Sequence, residues 1–186
     1  MAESPDAQRS GDDGNGRFLA RLIDLLPYLL VMAAAYLADR LSKQWAAGLG
    51  PEPQIVIPNV LSWTRVLNRG VAFGLLQGLG PVVGWLTIVV LIGFFVYLVR
   101  LPRAQWLVRF GVALLIGGAA GNLVDRLTAG AVIDFIAVRG FPYIFNVSDI
   151  LLNTGVVIML IGSYLQGSPE EPGLSPETST SSEPEH

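Results

Sequence analysis

Between Gly117 and Asp149 the chain sets three carboxylates, Asp125, Asp134 and Asp149, in otherwise apolar sequence. The surrounding blocks read Gly117-Gly118-Ala119-Ala120-Gly121-Asn122-Leu123-Val124-Asp125-Arg126, Val132-Ile133-Asp134-Phe135-Ile136 and Phe145-Asn146-Val147-Ser148-Asp149. An ionisable side chain at the centre of a membrane helix costs about 2.5–3.5 kcal/mol on insertion scales, so acids retained among Val, Ile and Phe are functional candidates by default. The chain has no cysteine, and its single histidine, His186, is the last residue. Thiolate nucleophiles, cysteine metal sites and disulfides are thereby excluded, as are Ser-His-Asp and Cys-His catalysis. Ser42 beside Lys43 suggests a Ser-Lys pair, but adjacent residues point about 100° apart around a helix, which disfavours it. Neither a phosphate loop nor a metal-spaced cluster occurs, and no metal or cofactor is expected. Paired aspartates remain. Two carboxylates that share a site repel, so one keeps a proton while the other, ionised, takes one from a water that attacks an amide carbonyl.

The neighbours of each acid divide these roles. Asp134 lies between Ile133 and Phe135, where loss of solvation favours the neutral form. Asp149 falls at the start of a helix, where the dipole favours an anion. The two make a sensible acid and base. Asp125, preceded by Asn122 and followed by Arg126, reads as an ion-paired residue that supports the structure or orients substrate.

The elements that must position these groups are membrane helices. The chain is 52% hydrophobic and only 15% charged, with uncharged runs at Leu25 to Ala38, Val71 to Val99, Phe110 to Val124 and Ile150 to Gly167. A span needs roughly 20 predominantly apolar residues; the second run suffices alone and the others reach that length with their flanks. The pattern predicts an all-α membrane protein: a four-helix bundle with a small extramembrane sheet or hairpin and an interfacial loop. The third helix ends and the fourth begins on the same face, so topology alone delivers Asp125, Asp134 and Asp149 to one interface.

In chain order, residues 1–21 are expected to be a disordered tail and residues 22–166 the membrane domain. The first helix runs from about Leu22 to Ala47, with Pro27 near its start. It continues without a small-residue cleavage site and is therefore kept as a span rather than a signal peptide. Asp39 and Lys43, four residues apart, share a face and can pair near the membrane surface. Residues 50–74 form the extramembrane segment. Its β-branched stretches Gln54 to Ile57 and Val60 to Leu67 flank Pro58-Asn59 as a hairpin would, and Asn68-Arg69-Gly70-Val71-Ala72-Phe73-Gly74 reads as a tight turn. The second helix spans about Pro81 to Val99. On the third, which runs to about Leu127, Gly117 and Gly121 make a small-residue face for close helix approach. Residues 128–147 are too apolar for a solvated loop and should lie in the interface. Asn146 or Ser148 can cap the fourth helix, which ends near Gln166, and residues 167–186 are expected to be a second disordered tail.

The formal net charge of −3 offers no basic footprint for nucleic acid. Basic residues are tied across the membrane, with Arg9, Arg17, Arg21, Arg100, Arg103 and Arg109 against Arg40, Lys43, Arg65, Arg69, Arg126 and Arg139, so charge alone does not orient the bundle. Trp45, Trp85 and Trp106 fall near span ends, as interfacial anchors do.

The three blocks around the acids resemble the signature blocks of lipoprotein signal peptidase, also called signal peptidase II. Asp39 with Lys43, and Asn68 through Gly74, match two further blocks in the same order, and the resemblance covers about Leu25 to Leu165. It implies a multi-pass protein of the bacterial inner membrane with both termini cytoplasmic and the site near the extracytoplasmic face. The activity implied is an aspartyl endopeptidase that removes the signal peptide of prolipoproteins, cutting N-terminal to a diacylglyceryl-modified cysteine. Carried over residue by residue, Asp134 and Asp149 become the catalytic pair. Asn68, Asn122, Arg126 and Asn146 line the substrate site, and Asp39, Lys43, Gly70 and Asp125 support it. Ser148 stands where the family's last block usually has Ala, which puts a hydroxyl beside Asp149. Expected partners are the prolipoprotein substrates and membrane lipid, with the enzyme acting as a monomer.

Two other classes would use the same residues. Intramembrane acids serve as proton relays in transporters, but here they gather at one interface and the spans show no internal repeat. A membrane scaffold with acids paired only for packing would leave the hairpin and the aromatic-rich loop without a task.

Overall fold

The computed structural model of the chain describes residues 6–70 and 79–167. Its elements are α1 (Asp6–Ala47), β1 (Gln54–Ile57), β2 (Leu61–Asn68), α2 (Gly80–Arg100), α3 (Trp106–Ala129), β3 (Val132–Val138), β4 (Ile144–Phe145) and α4 (Val147–Gln166). Among the described residues four helices are long and apolar enough to cross a membrane, over Leu19–Ala47, Val82–Arg100, Trp106–Ala129 and Val147–Gln166. Large apolar side chains such as Ile23, Leu30, Leu86, Val89, Ile92 and Leu160 face outward from them, as lipid-facing residues do.

Helix α3 is the axis of the bundle and packs on α1, α2 and α4. Small residues allow it. A Cβ at Gly111 would lie 2.6 Å from the Gly155 carbonyl oxygen, one at Gly118 2.9 Å from that of Ser148, and one at Gly162 2.8 Å from the Val108 nitrogen. Helices α3 and α4 therefore meet backbone to backbone, where dispersion contacts replace the hydrophobic drive that lipid does not supply. Gly117 serves α1 similarly, against Met32 and Ala35. Leu98, Val108, Val112 and Ile116 form the buried apolar centre where α2, α3 and α1 converge. At the end of the bundle near the chain termini, Arg109 is buried, its guanidinium donating to both carboxylate oxygens of Asp24 at 3.2 and 2.8 Å and lying 4.4 Å above the Tyr28 ring.

The sheet has strand order β1-β2-β3-β4, antiparallel throughout. Asn59, with φ 61°, turns the hairpin between β1 and β2 in the left-handed region that Asn tolerates. Ala46 at the end of α1, Phe135 and Ile136 form a second buried cluster with Leu61, Trp63, Phe145 and Val147, which seats the sheet on the ends of α1 and α4. Trp45 packs edge-on against Trp63 and Phe135, with ring centroids 5.5 and 5.8 Å away.

Two elements differ from the sequence reading, for physical causes. The connection 128–147, expected as a loop, carries the strands β3 and β4: β3 pairs with β2 and β4 with β3, so the backbone groups of these residues are satisfied by neighbouring strands. Helix α1 begins at Asp6, within the stretch expected as a tail up to residue 21, because extending a formed helix adds a hydrogen bond for each residue fixed and needs no new nucleus. Asp39 and Lys43 pair as their spacing predicts, at 2.8 Å, and both are buried against the rest of the bundle. The expected tail beyond Gly167, His186 included, lies outside the described residues, as do Val71-Ala72-Phe73-Gly74.

Candidate active site

The site forms where α3 ends, α4 begins and β3 runs between them. Asn146 caps α4. Its side-chain oxygen accepts the Asp149 backbone N–H at 3.1 Å, and its own backbone N–H donates to Asp149 Oδ2 at 3.2 Å. This reciprocal capping box fixes the Asp149 side chain against the first turn. The Asn146 amide nitrogen then reaches the other acid, donating to Asp134 Oδ1 at 2.6 Å. A single, fully buried asparagine thus joins Asp149 on α4 to Asp134 on β3.

Asp134 is placed by the β2–β3 register. Val66 lies opposite it and Asn68 opposite Val132, so Asn68 is its diagonal neighbour and donates from Nδ2 to Asp134 Oδ2 at 2.9 Å. The Asn68 oxygen accepts the Gly70 backbone N–H at 2.9 Å, which fixes the orientation of the amide. Both oxygens of Asp134 are held by amides in a setting that leaves the residue 3% exposed. Burial pushes its carboxyl up to about 6; the amides of Asn68 and Asn146 pull against that rise, Asp149's negative charge adds to it and the Lys43 cation opposes it.

Behind the acids lies a buried polar network. Asn122 on α3 donates from Nδ2 to Asp149 Oδ1 at 2.9 Å, and its oxygen accepts from Lys43 Nζ at 2.7 Å and from Asn146 Nδ2 at 3.3 Å. Lys43 also lies 2.8 Å from Asp39 Oδ2 and 2.8 Å from Asp125 Oδ2, so its ammonium faces three acceptors. The other oxygen of Asp39 accepts the Ser148 backbone N–H at 3.0 Å. Asp125 pairs with Arg40 as well. Both acids and Asn68, Asn122, Arg126 and Asn146 border one cavity of about 1130 Å³, which reaches from Val83 and Thr87 on α2 to Leu152 on α4 and Phe141 in the β3–β4 turn. That is large for a small-molecule site and is walled mainly by apolar side chains. Among the described residues no cluster of His, Cys, Asp and Glu fits a metal ion.

Over residues 31–165 the sequence matches the family described as signal peptidase (SPase) II. The chain belongs to the signal peptidase II family. Among its relatives, the lipoprotein signal peptidase of Caulobacter vibrioides is 38% identical over 158 residues, covering 80% of this chain and 90% of that one. That of Thermosynechococcus vestitus is 35% identical over 140 residues, covering 72% and 89%. A solved structure described as a bacterial membrane enzyme superposes with a TM-score of 0.69 at 28% identity, covering 78% of this chain and 93% of that one. A second, under the same description, gives 0.67 at 29% identity. None of these relatives supports the transporter reading; the protein is a multi-pass bacterial membrane protease that processes lipoprotein precursors.

Within this signal peptidase II the ten residues singled out in the sequence all fall in or directly behind one site. Asn146 borders the cavity, and both ends of its side chain are engaged, by Asp134, Asp149 and Asn122. The carboxylate of Asp125 meets Arg40 and Lys43 of α1, and Arg126 donates from Nη2 to the Gly70 carbonyl oxygen at 3.3 Å. Neighbours in a helix point in different directions, so Asp125 is ion-paired as read, but to α1 and not to the residue beside it. The Ser148 hydroxyl donates to the Gly118 carbonyl oxygen at 2.6 Å, on the side of α3. Arg40 was missed, although its place one residue after Asp39 and three before Lys43 puts it near their face.

Proposed function

We propose that the protein is an aspartyl endopeptidase of the bacterial inner membrane that cuts prolipoproteins on the N-terminal side of a diacylglyceryl-modified cysteine. The reading rests on one observation above all, the single Asn146 side chain that ties Asp134 and Asp149 together at the wall of the cavity. Asp149 acts as base and takes a proton from water; the resulting hydroxide adds to the scissile carbonyl carbon while Asp134 gives its proton to the carbonyl oxygen. The C–N bond then breaks, with Asp149 returning its proton to the leaving nitrogen and Asp134 regaining one from the hydroxyl of the intermediate. No net proton is consumed by the pair. Entry of an apolar substrate expels water from the cavity and further favours the neutral form of Asp134 that this cycle requires.

The cavity's size and apolar walls suit a lipid-modified peptide, with Asn68, Asn122 and Arg126 offering polar contacts and Asp39, Lys43, Gly70 and Asp125 supporting them. Both termini lie on the cytoplasmic side and the site near the extracytoplasmic face, and the enzyme works as a monomer in contact with membrane lipid. The test uses purified enzyme with lipid-modified and unmodified precursor. Asp134→Asn and Asp149→Asn should each lose at least about 10³-fold in kcat/KM while remaining folded. Substantial cleavage by either variant rejects the acid pair, and equal cleavage of the unmodified precursor rejects the lipid requirement.

A further inference from the structure

Lys43 is buried in the bundle, yet it is not part of the cavity wall, and neither are Asp39 and Asp125. Among the described residues, Asn122 is the cavity-lining side chain to which it donates. An ammonium group can only donate, so the atom of Asn122 facing it has to be the oxygen, which leaves Nδ2 directed at Asp149. The same oxygen takes the longer bond from Asn146, whose amide holds Asp134. Lys43 is itself fixed from two helices, by Asp39 one turn before it on α1 and by Asp125 on α3.

We propose that Lys43 is a positioning residue for hydrolysis: from outside the cavity it holds the Asn122 oxygen, which fixes the amide that orients Asp149 and sets the charge under which the two acids share their proton. This deepens the acid-pair reading and depends on it. Among the described residues, the charged groups that bear on Asp134 are Asp149 from α4, Lys43 from α1 and Arg126 from α3, and Arg69 after β2 lines the same cavity. Of the three cations, Lys43 is the one that is not in the cavity wall, so substrate does not displace it.

The experiment compares wild type, Asp134→Asn, Lys43→Gln and the double variant Lys43→Gln/Asp39→Asn, reading the pH profile of kcat/KM together with kcat and KM for a lipid-modified precursor. The double variant keeps an oxygen for the Ser148 N–H and leaves Asp39's position uncharged, so a folded protein is measured even where the single variant fails to accumulate. Loss of a nearby cation favours the neutral carboxyl, so the profile should move to higher pH in Lys43→Gln, and by less in the double variant, which removes the Asp39 anion together with the cation. Peak kcat should fall about tenfold as Asn122 loses its anchor, with KM changed less than about threefold because Lys43 does not reach substrate. A profile that stays in place in a folded Lys43 variant, with Asp134→Asn inactive, overturns the role of Lys43 alone. Activity retained by Asp134→Asn overturns the acid pair, and the role of Lys43 with it.

Discussion

Asn68 and Asp134 face each other diagonally across the β2–β3 pair, amide nitrogen to carboxylate oxygen at 2.9 Å. A strand that could do no chemistry alone thereby sets the protonation of one that can.

Asn68→Ala should shift the alkaline side of the activity profile upward. A donor to a carboxylate favours its charged form, so removing one of the two donors to Asp134 makes the proton harder to lose. The change should be about one unit or less, since Asn146 still donates. A profile that moves down, or does not move while cleavage persists, would contradict the contact.

The same carboxyl makes folding stability depend on pH. Raised from 3.8 to about 6, it binds a proton more tightly in the folded protein than in the unfolded one. The stability it contributes is present below about pH 4 and lost as pH rises through about 6, amounting to roughly 3 kcal/mol. Thermal melts in detergent should show the wild type losing ground to Asp134→Asn across that interval. Parallel curves for the two proteins would rule this out.

Gly121→Ala should be far more damaging than Gly93→Ala, although both lie in apolar helices. A Cβ at Gly121 runs into the Asp39 carboxylate and lies 2.7 Å from the Ser148 hydroxyl, whereas one at Gly93 meets nothing within 4 Å. Overpacking of this kind costs about 1–3 kcal/mol, and here it also pushes apart α1, α3 and α4 behind the acids. Yield and melting temperature should drop for Gly121→Ala and hold for Gly93→Ala. Equal behaviour of the two would mean that the helices are less closely packed than described.

The spans, the hairpin and the acids could be read from sequence because each signal is local. Twenty apolar residues make a span wherever they occur, β-branched residues around Pro58-Asn59 make a hairpin, and carboxylates among Val, Ile and Phe announce themselves by their cost. Strand β3 gave no such signal. Val132–Val138 is apolar enough for an interfacial loop, and what makes it a strand is pairing with β2, far earlier in the chain. Depth was equally hidden: the spacing of Asp39 and Lys43 gives a shared face but not whether that face meets water or α3. The partners of Asp125 lie on the first helix, Arg40 85 residues before it and Lys43 one turn further on, where the sequence around Asp125 gives no sign of them. Ser148 shows the same limit, because being next to Asp149 in the chain does not decide which helix a hydroxyl turns to.

Lys43 comes from the first span, Asn68 from the hairpin after it, Asn122 from the third span, and Asp149 from the start of the last. They are spread over residues 43–149, and the last acid arrives only with the final helix. The site is therefore shared among distant parts of the chain, and it exists only where the first, third and last spans are packed together.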